Sequence, residues 1–90
     1  MTSVRVVVSG RVQGVWFRAW TKKQAKSRGL SGWVRNLNDG TVEVGFSGAD
    51  ETVTSMFEAC KTGPPLARVE RVDIEPCETP ADGFSNPPDV

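Results

Sequence analysis

Gly10-Arg11-Val12-Gln13-Gly14-Val15-Trp16-Phe17-Arg18 is the stretch on which the fold turns, because it joins a run of valines to a helix-forming segment. Its two glycines let the backbone turn where other residues cannot and come close to a ligand, so that successive peptide N–H groups converge on one point. The helix after it adds free N–H groups and the positive end of its dipole. Arg18 sits in its first turn and brings a planar fork of donors suited to two oxygens of a phosphate or carboxylate. A small oxyanion is the expected guest.

On the N-terminal side, Val4-Arg5-Val6-Val7-Val8 is β-branched and stops at Ser9-Gly10, which predicts a first strand. Helix formers fill the chain from about Val15 to Ser27, with Gly29 as the stop. Ser31 to Leu37 and Thr41 to Phe46 read as two strands joined by the Asn38-Asp39-Gly40 turn. After Gly48, Val53, Met56, Phe57 and Cys60 recur at helical spacing behind Asp50 and Glu51, and Gly63-Pro64-Pro65 ends that helix. Ala67 to Ile74 is the last clear strand. The order predicts an α+β, ferredoxin-like βαββαβ sandwich, an antiparallel sheet with two helices on one face.

Ninety residues suffice for one domain, residues 1–90, that folds without a metal or disulfide staple. Residues 75–90, with Pro76, Pro80, Gly83, Pro87 and Pro88, are expected to form an irregular tail. No apolar run approaches the ~20 residues of a membrane span, and no secretory signal is evident, so a soluble cytoplasmic monomer is expected. Cys60 and Cys77 are too far apart for a redox or zinc motif and are expected to be reduced.

The net charge is zero, yet residues 1–40 hold Arg5, Arg11, Arg18, Lys22, Lys23, Lys26, Arg28 and Arg35 against one acid, Asp39. A basic half that contains the glycine turn attracts small anions. Lys22, Lys23, Lys26 and Arg28 have a plainer reading as a solvated helix face near the C-terminal end of the dipole.

Several chemistries drop out. The chain has no histidine, which removes phosphohistidine intermediates, histidine-based triads and the usual neutral-pH general base. A cysteine phosphatase needs a thiolate at the mouth of the phosphate loop, where Val12 stands. No Gly-Lys-Ser/Thr occurs at Walker spacing. Positioning and fixed charge remain, with water as the attacking group, and such an arrangement suffices in principle for phosphoryl transfer.

Gly10 to Arg18, together with Gly32-Trp33-Val34-Arg35-Asn36-Leu37-Asn38-Asp39-Gly40-Thr41-Val42-Glu43-Val44, resembles the acylphosphatase family, with matching spacing from about Val4 to Ile74. The resemblance implies hydrolysis of the carboxyl–phosphate anhydride of an acyl phosphate to carboxylate and inorganic phosphate, with no metal, cofactor or covalent intermediate. It assigns catalysis to Arg18, which binds the phosphate, and to Asn36, which orients the water. Taken alone, Asn36 reads as a turn residue beside Asn38-Asp39-Gly40.

Arg11, Val12, Gln13, Gly14, Val15, Trp16 and Phe17 are expected to bind substrate through backbone N–H groups. Trp16, Phe17, Trp20 and Trp33 suit either core packing or an apolar mouth for the acyl group. The family usually closes with a further short strand, and the corresponding residues here, Gly83 to Val90, contain two prolines. The alternative is a non-catalytic phosphate-binding domain of the same fold. An RNA-binding module is disfavoured by the missing aromatic pair motif and the neutral charge.

Overall fold

The computed structural model describes residues 1–78 and 83–85. Strand β1 (Thr2–Arg11) leads through the glycine loop into helix α1 (Phe17–Ser27). Strands β2 (Ser31–Asn36) and β3 (Val42–Gly48) form the hairpin, followed by α2 (Asp50–Thr62), β4 (Arg68–Pro76) and β5 (Phe84–Ser85). The sheet order is β4-β1-β3-β2-β5, and the pairings β4–β1, β1–β3 and β3–β2 are antiparallel. The fold is ferredoxin-like, as the element order predicted.

Strand periodicity decides which face the helices cover. Val4, Val6 and Val8 of β1 stand opposite Phe46, Val44 and Val42 of β3, and Val34 of β2 stands opposite Val44. All are buried, with Phe17 and Ala25 from α1 and Val53, Met56 and Cys60 from α2 completing the core. Side chains two apart share a face, so one apolar set per strand is enough to seat both helices.

The opposite face carries charge. Glu43 is only 4% exposed, and Arg35 donates to its Oε1 at 2.7 Å while Arg5 donates to its Oε2. Arg5 also reaches Glu75 at 2.9 Å. Trp33 lies on this face as well: its indole covers Gly45, where a Cβ would come within 2.4 Å of the ring. Two of the cations counted toward an anion-attracting half are therefore taken up by Glu43. Cross-strand neighbours, invisible in a one-dimensional charge count, decide this.

The C-terminal region departs from the expected irregular tail. Strand β4 runs on to Pro76, opposite Val4 at the end of the β1–β4 ladder. Because β4 is an edge strand, proline there removes no sheet hydrogen bond that a neighbour needs. Phe84 and Ser85 pair in parallel with Gly32 and Trp33, and Gly32 donates to the Gly83 carbonyl at 2.9 Å. The sheet is thus mixed at one edge, where an antiparallel sheet was expected. Pro80, Pro87 and Pro88 lie outside the described residues.

Candidate active site

The loop between β1 and α1 begins at a bulge. Pairing of β1 with β4 shifts register between Ser9 and Gly10, and Gly10 takes φ 123° with the Arg68 carbonyl so close that a Cβ would sit 2.1 Å from it. A bulge bends a strand and re-aims the residues beyond it. Here it turns the chain off the sheet edge and into the loop.

Gly14 (φ 72°) and Trp16 (φ 66°) are left-handed, with Val15 between them at negative φ. Alternation of this kind makes a concave run of backbone N–H groups. Trp16 is also the N-cap of α1, it makes no side-chain cap hydrogen bond, and the first turn holds no acid. A bulky residue at positive φ is an outlier that costs about 1–3 kcal/mol and tends to occur at functional sites. The start of α1 is therefore shaped by something other than helix stability.

A hollow of about 590 Å³ opens at this point, lined by Val12, Gly14, Trp16, Phe17, Arg18, Ala19, Lys22 and Asn36. Arg18 comes from the first turn of α1, and Asn36 is the last residue of β2, opposite Val42. The period of two that puts Val34 into the core sends Asn36 to the same side, at the strand end where the helices no longer cover it. Two residues from separate elements thus face one space.

Gln13 takes a different part. Its side-chain amide donates to the carbonyls of Leu37 and Thr41, both at 2.8 Å. The glycine loop is thereby fastened to the β2–β3 turn, immediately after Asn36. That turn is closed by Leu37 N–H to the Thr41 carbonyl at 2.9 Å. The Thr41 hydroxyl and amide both donate to Asp39, holding its carboxyl below the usual range. The bonds from Gln13 thus tie the glycine loop to the chain directly after Asn36.

Of the residues expected from sequence, Val12, Gly14, Trp16, Phe17, Arg18 and Asn36 line the hollow. Arg11 ends β1 opposite Arg68, Gln13 faces the hairpin, and the Val15 side chain is core at 4% exposure. Trp20 packs on Phe17 with ring centroids 5.3 Å apart, and Trp33 covers the far face of the sheet. Ala19 and Lys22 were missed as lining residues. The available signal was spacing, since Lys22 comes one helical turn after Arg18. Among the described residues no three of His, Cys, Asp and Glu gather as metal ligands.

Fold and hollow together define an α+β sandwich protein with a concave site between a helix start and a strand end. The acylphosphatase family model matches residues 4–86. The chain is 48% identical to an acylphosphatase of Rhodospirillum rubrum, with all of both chains covered. The crystal structure of acylphosphatase from Bacillus subtilis superposes with a TM-score of 0.90 at 36% identity, covering 96% of this chain and 98% of that one. An acylphosphatase from Coxiella burnetii gives 0.90 at 37% identity, over 96% and 92%. The chain belongs to the acylphosphatase family, and it is an enzyme.

Proposed function

We propose that this chain hydrolyses acyl phosphates by direct attack of water on phosphorus, with Arg18 and the backbone amides of Arg11 to Phe17 as the phosphoryl site and Asn36 as the residue that orients the water. The observation that carries this reading is the shared hollow of Arg18 and Asn36. Charge on a phosphoryl group in flight spreads over its equatorial oxygens, which rewards fixed donors around it. The guanidinium fork suits two such oxygens. The Asn36 amide donates and accepts at once and does not titrate near neutral pH.

The bond balance explains why the site can work without histidine. Water oxygen bonds to phosphorus as the bond from phosphorus to the acyl oxygen breaks, and the electron pair leaves on a carboxylate. A carboxylic acid has a pKa of about 4, so its anion departs without needing a proton. The proton of the attacking water passes to phosphate or solvent. An alkyl phosphate ester, whose leaving alkoxide demands a general acid, is a poor substrate on this reading.

The two thiols are free, which suits a reducing compartment such as the cytoplasm. The same reading takes the chain as a monomer that acts on a small acyl phosphate without nucleic acid, membrane or cofactor. The test is hydrolysis of benzoyl phosphate with and without a chelator. Turnover is expected to survive chelation, and Arg18→Lys is expected to lose about 10²-fold or more in kcat/KM, because a single ammonium cannot replace the fork. Turnover that needs added metal, or near-normal kinetics in Arg18→Lys, overturns the proposal.

A further inference from the structure

We infer that the Gln13 side chain is a positioning device that sets the water site at Asn36 against the phosphoryl site of the glycine loop; this deepens the hydrolytic reading above and rests on it. The two groups proposed to act come from separate segments, Arg18 from the first turn of α1 and Asn36 from the end of β2. Strand β3 lies between β1 and β2 in the sheet, so no ladder joins those two strands directly. The Gln13 side chain spans the gap. Its single amide nitrogen donates to the carbonyls of Leu37 and Thr41, both at 2.8 Å.

The turn does not need these bonds to be complete. The Leu37 carbonyl already accepts from the Gly40 N–H at 3.2 Å, and the Thr41 carbonyl from the Leu37 N–H at 2.9 Å. A carbonyl oxygen has two lone pairs, and Gln13 takes the second of each. Without its donors neither acceptor is orphaned, so what is lost is the link and not the turn. At the other end of the link the backbone is fixed, because Val12 and Val15 on either side are buried at 1% and 4% exposure. The hollow is lined by Val12 and Gly14 but not by Gln13 between them. The side chain therefore acts through Asn36, whose next residue it holds, and not on the guest.

Attack by water makes such a link matter. The water oxygen has to stand about 3–3.5 Å from phosphorus and in line with the leaving acyl oxygen, and a misplacement of about 1 Å costs roughly 10²-fold in rate. Asn36 opposite Val42 is the last pair of the β2–β3 ladder, and ladder ends open more readily than their middles. A bond from the phosphate loop to the carbonyl of the next residue holds that end in register with the guest. A neutral amide does so without adding a charge that competes for the dianion. Phosphate itself is held by the other half of the site, so the link serves turnover and leaves phosphate affinity alone.

The experiment measures benzoyl phosphate hydrolysis, inhibition by inorganic phosphate and urea unfolding in wild type, Gln13→Met, Gln13→Glu, Asn36→Ala and the double variant Gln13→Met/Asn36→Ala. Methionine keeps the unbranched length and removes the donors. In Gln13→Met, kcat is expected to fall about 10- to 100-fold while the inhibition constant for phosphate stays within about twofold and the urea midpoint stays close to wild type. Gln13→Glu is expected to lose more at pH 7.5, where its carboxylate faces two carbonyl oxygens, and to recover relative to wild type toward about pH 5, as the carboxyl protonates and donates to one of them. In the Asn36→Ala background, Gln13→Met is expected to cost less than about twofold, since residues that act together are not additive. A full additional loss in that background, phosphate affinity falling in step with kcat, or near-normal kcat in Gln13→Met overturns this inference alone. So does failure of both position-13 variants to fold, which makes Gln13 a residue of the fold. A wild type that does not hydrolyse benzoyl phosphate, or an Asn36→Ala variant with unchanged kcat, overturns the hydrolytic reading and this inference with it.

Discussion

Helices α1 and α2 cover the same face of one sheet, yet they begin in opposite ways. Helix α2 carries Asp50 and Glu51 in its first turn, and its N-cap, Ala49, has ordinary extended geometry. Its own acids answer the positive end of its dipole. Helix α1 has no acid in its first turn, a left-handed tryptophan as its cap, and Arg18 placed where a cation opposes the dipole. One helix start is completed by its own acids; the other has none, and on the proposed reading its positive end faces the phosphoryl group. That difference separates a packing element from a binding element more sharply than core composition does, since both helices bury one side against the sheet.

Of the changes that probe this contrast, the largest effect is expected from making α1 begin with an acid as α2 does. Ala19→Glu puts a carboxylate into the first turn and onto the wall of the hollow. The helix gains about 0.3–1 kcal/mol from its dipole. A charge about 5 Å from a dianionic guest at the protein surface costs about 2–3 kcal/mol, so kcat/KM for benzoyl phosphate is expected to drop roughly 30- to 150-fold while urea stability rises. Chemical denaturation and steady-state kinetics on the same preparation check the opposite signs. If activity and stability move together, the start of α1 is not held open for a guest.

The packing side of the contrast is sharpened by Cys60. It is buried near the end of α2, and burial pushes its thiol up to about 12 from an ordinary 9.0. Below pH 9 the folded and unfolded chains both keep this proton, so it does not change stability. Above pH 9 the unfolded chain releases it and the folded chain does not, so stability falls by about 1.4 kcal/mol per pH unit until roughly pH 12. Cys60→Ala removes that slope. Urea denaturation at pH 8, 9, 10 and 11 is expected to show the difference between wild type and variant shrinking by about 2–3 kcal/mol. A constant difference means that Cys60 titrates as freely as an exposed thiol.

Most of the frame was legible because its signals are local. Valines at period two, the Asp39-Gly40 turn and the Val53, Met56, Cys60 spacing each state their element, and the structure agrees with them closely. The features that escaped were set by partners distant in sequence. Glu43 is silent in the chain and becomes the buried acid between Arg5 and Arg35 only when β1, β2 and β3 lie side by side. Gln13 reads as one more loop residue, and its bond to the β2–β3 turn exists only in three dimensions. At the site, Arg18 was legible from the loop chemistry, Asn36 only from its resemblance to a family motif, and Lys22 was absorbed into a solvated face. The final strand was obscured by prolines, whose effect depends on whether a strand is central or at the edge.

Trp16 tests whether strain at the helix start is tied to the hollow. Trp16→Gly relieves the left-handed penalty of about 1–2 kcal/mol, and the extra freedom of glycine in the unfolded chain gives back about 0.4–1. The indole is 76% exposed, so little burial is lost. A net gain near 1 kcal/mol is expected, accompanied by a severalfold rise in KM for benzoyl phosphate as the apolar wall disappears. Destabilisation instead indicates that the indole packs in a way its exposure does not reveal.

The smallest effect belongs to the self-sufficient helix. Glu51 is exposed in the first turn of α2, away from the hollow, and its charge acts on the dipole alone. Glu51→Gln keeps the shape and removes the charge, so stability should fall by about 0.3–1 kcal/mol, less in high salt. Hydrolysis of benzoyl phosphate is expected to stay within twofold of wild type, roughly the reach of a screened surface charge. An acid at a helix start is thus worth a few tenths of a kcal/mol where it completes the helix, whereas in the first turn of α1, at position 19, it should cost most of the activity. If Glu51→Gln lowers turnover as Ala19→Glu does, the two helix starts are coupled and the division between packing and binding does not hold.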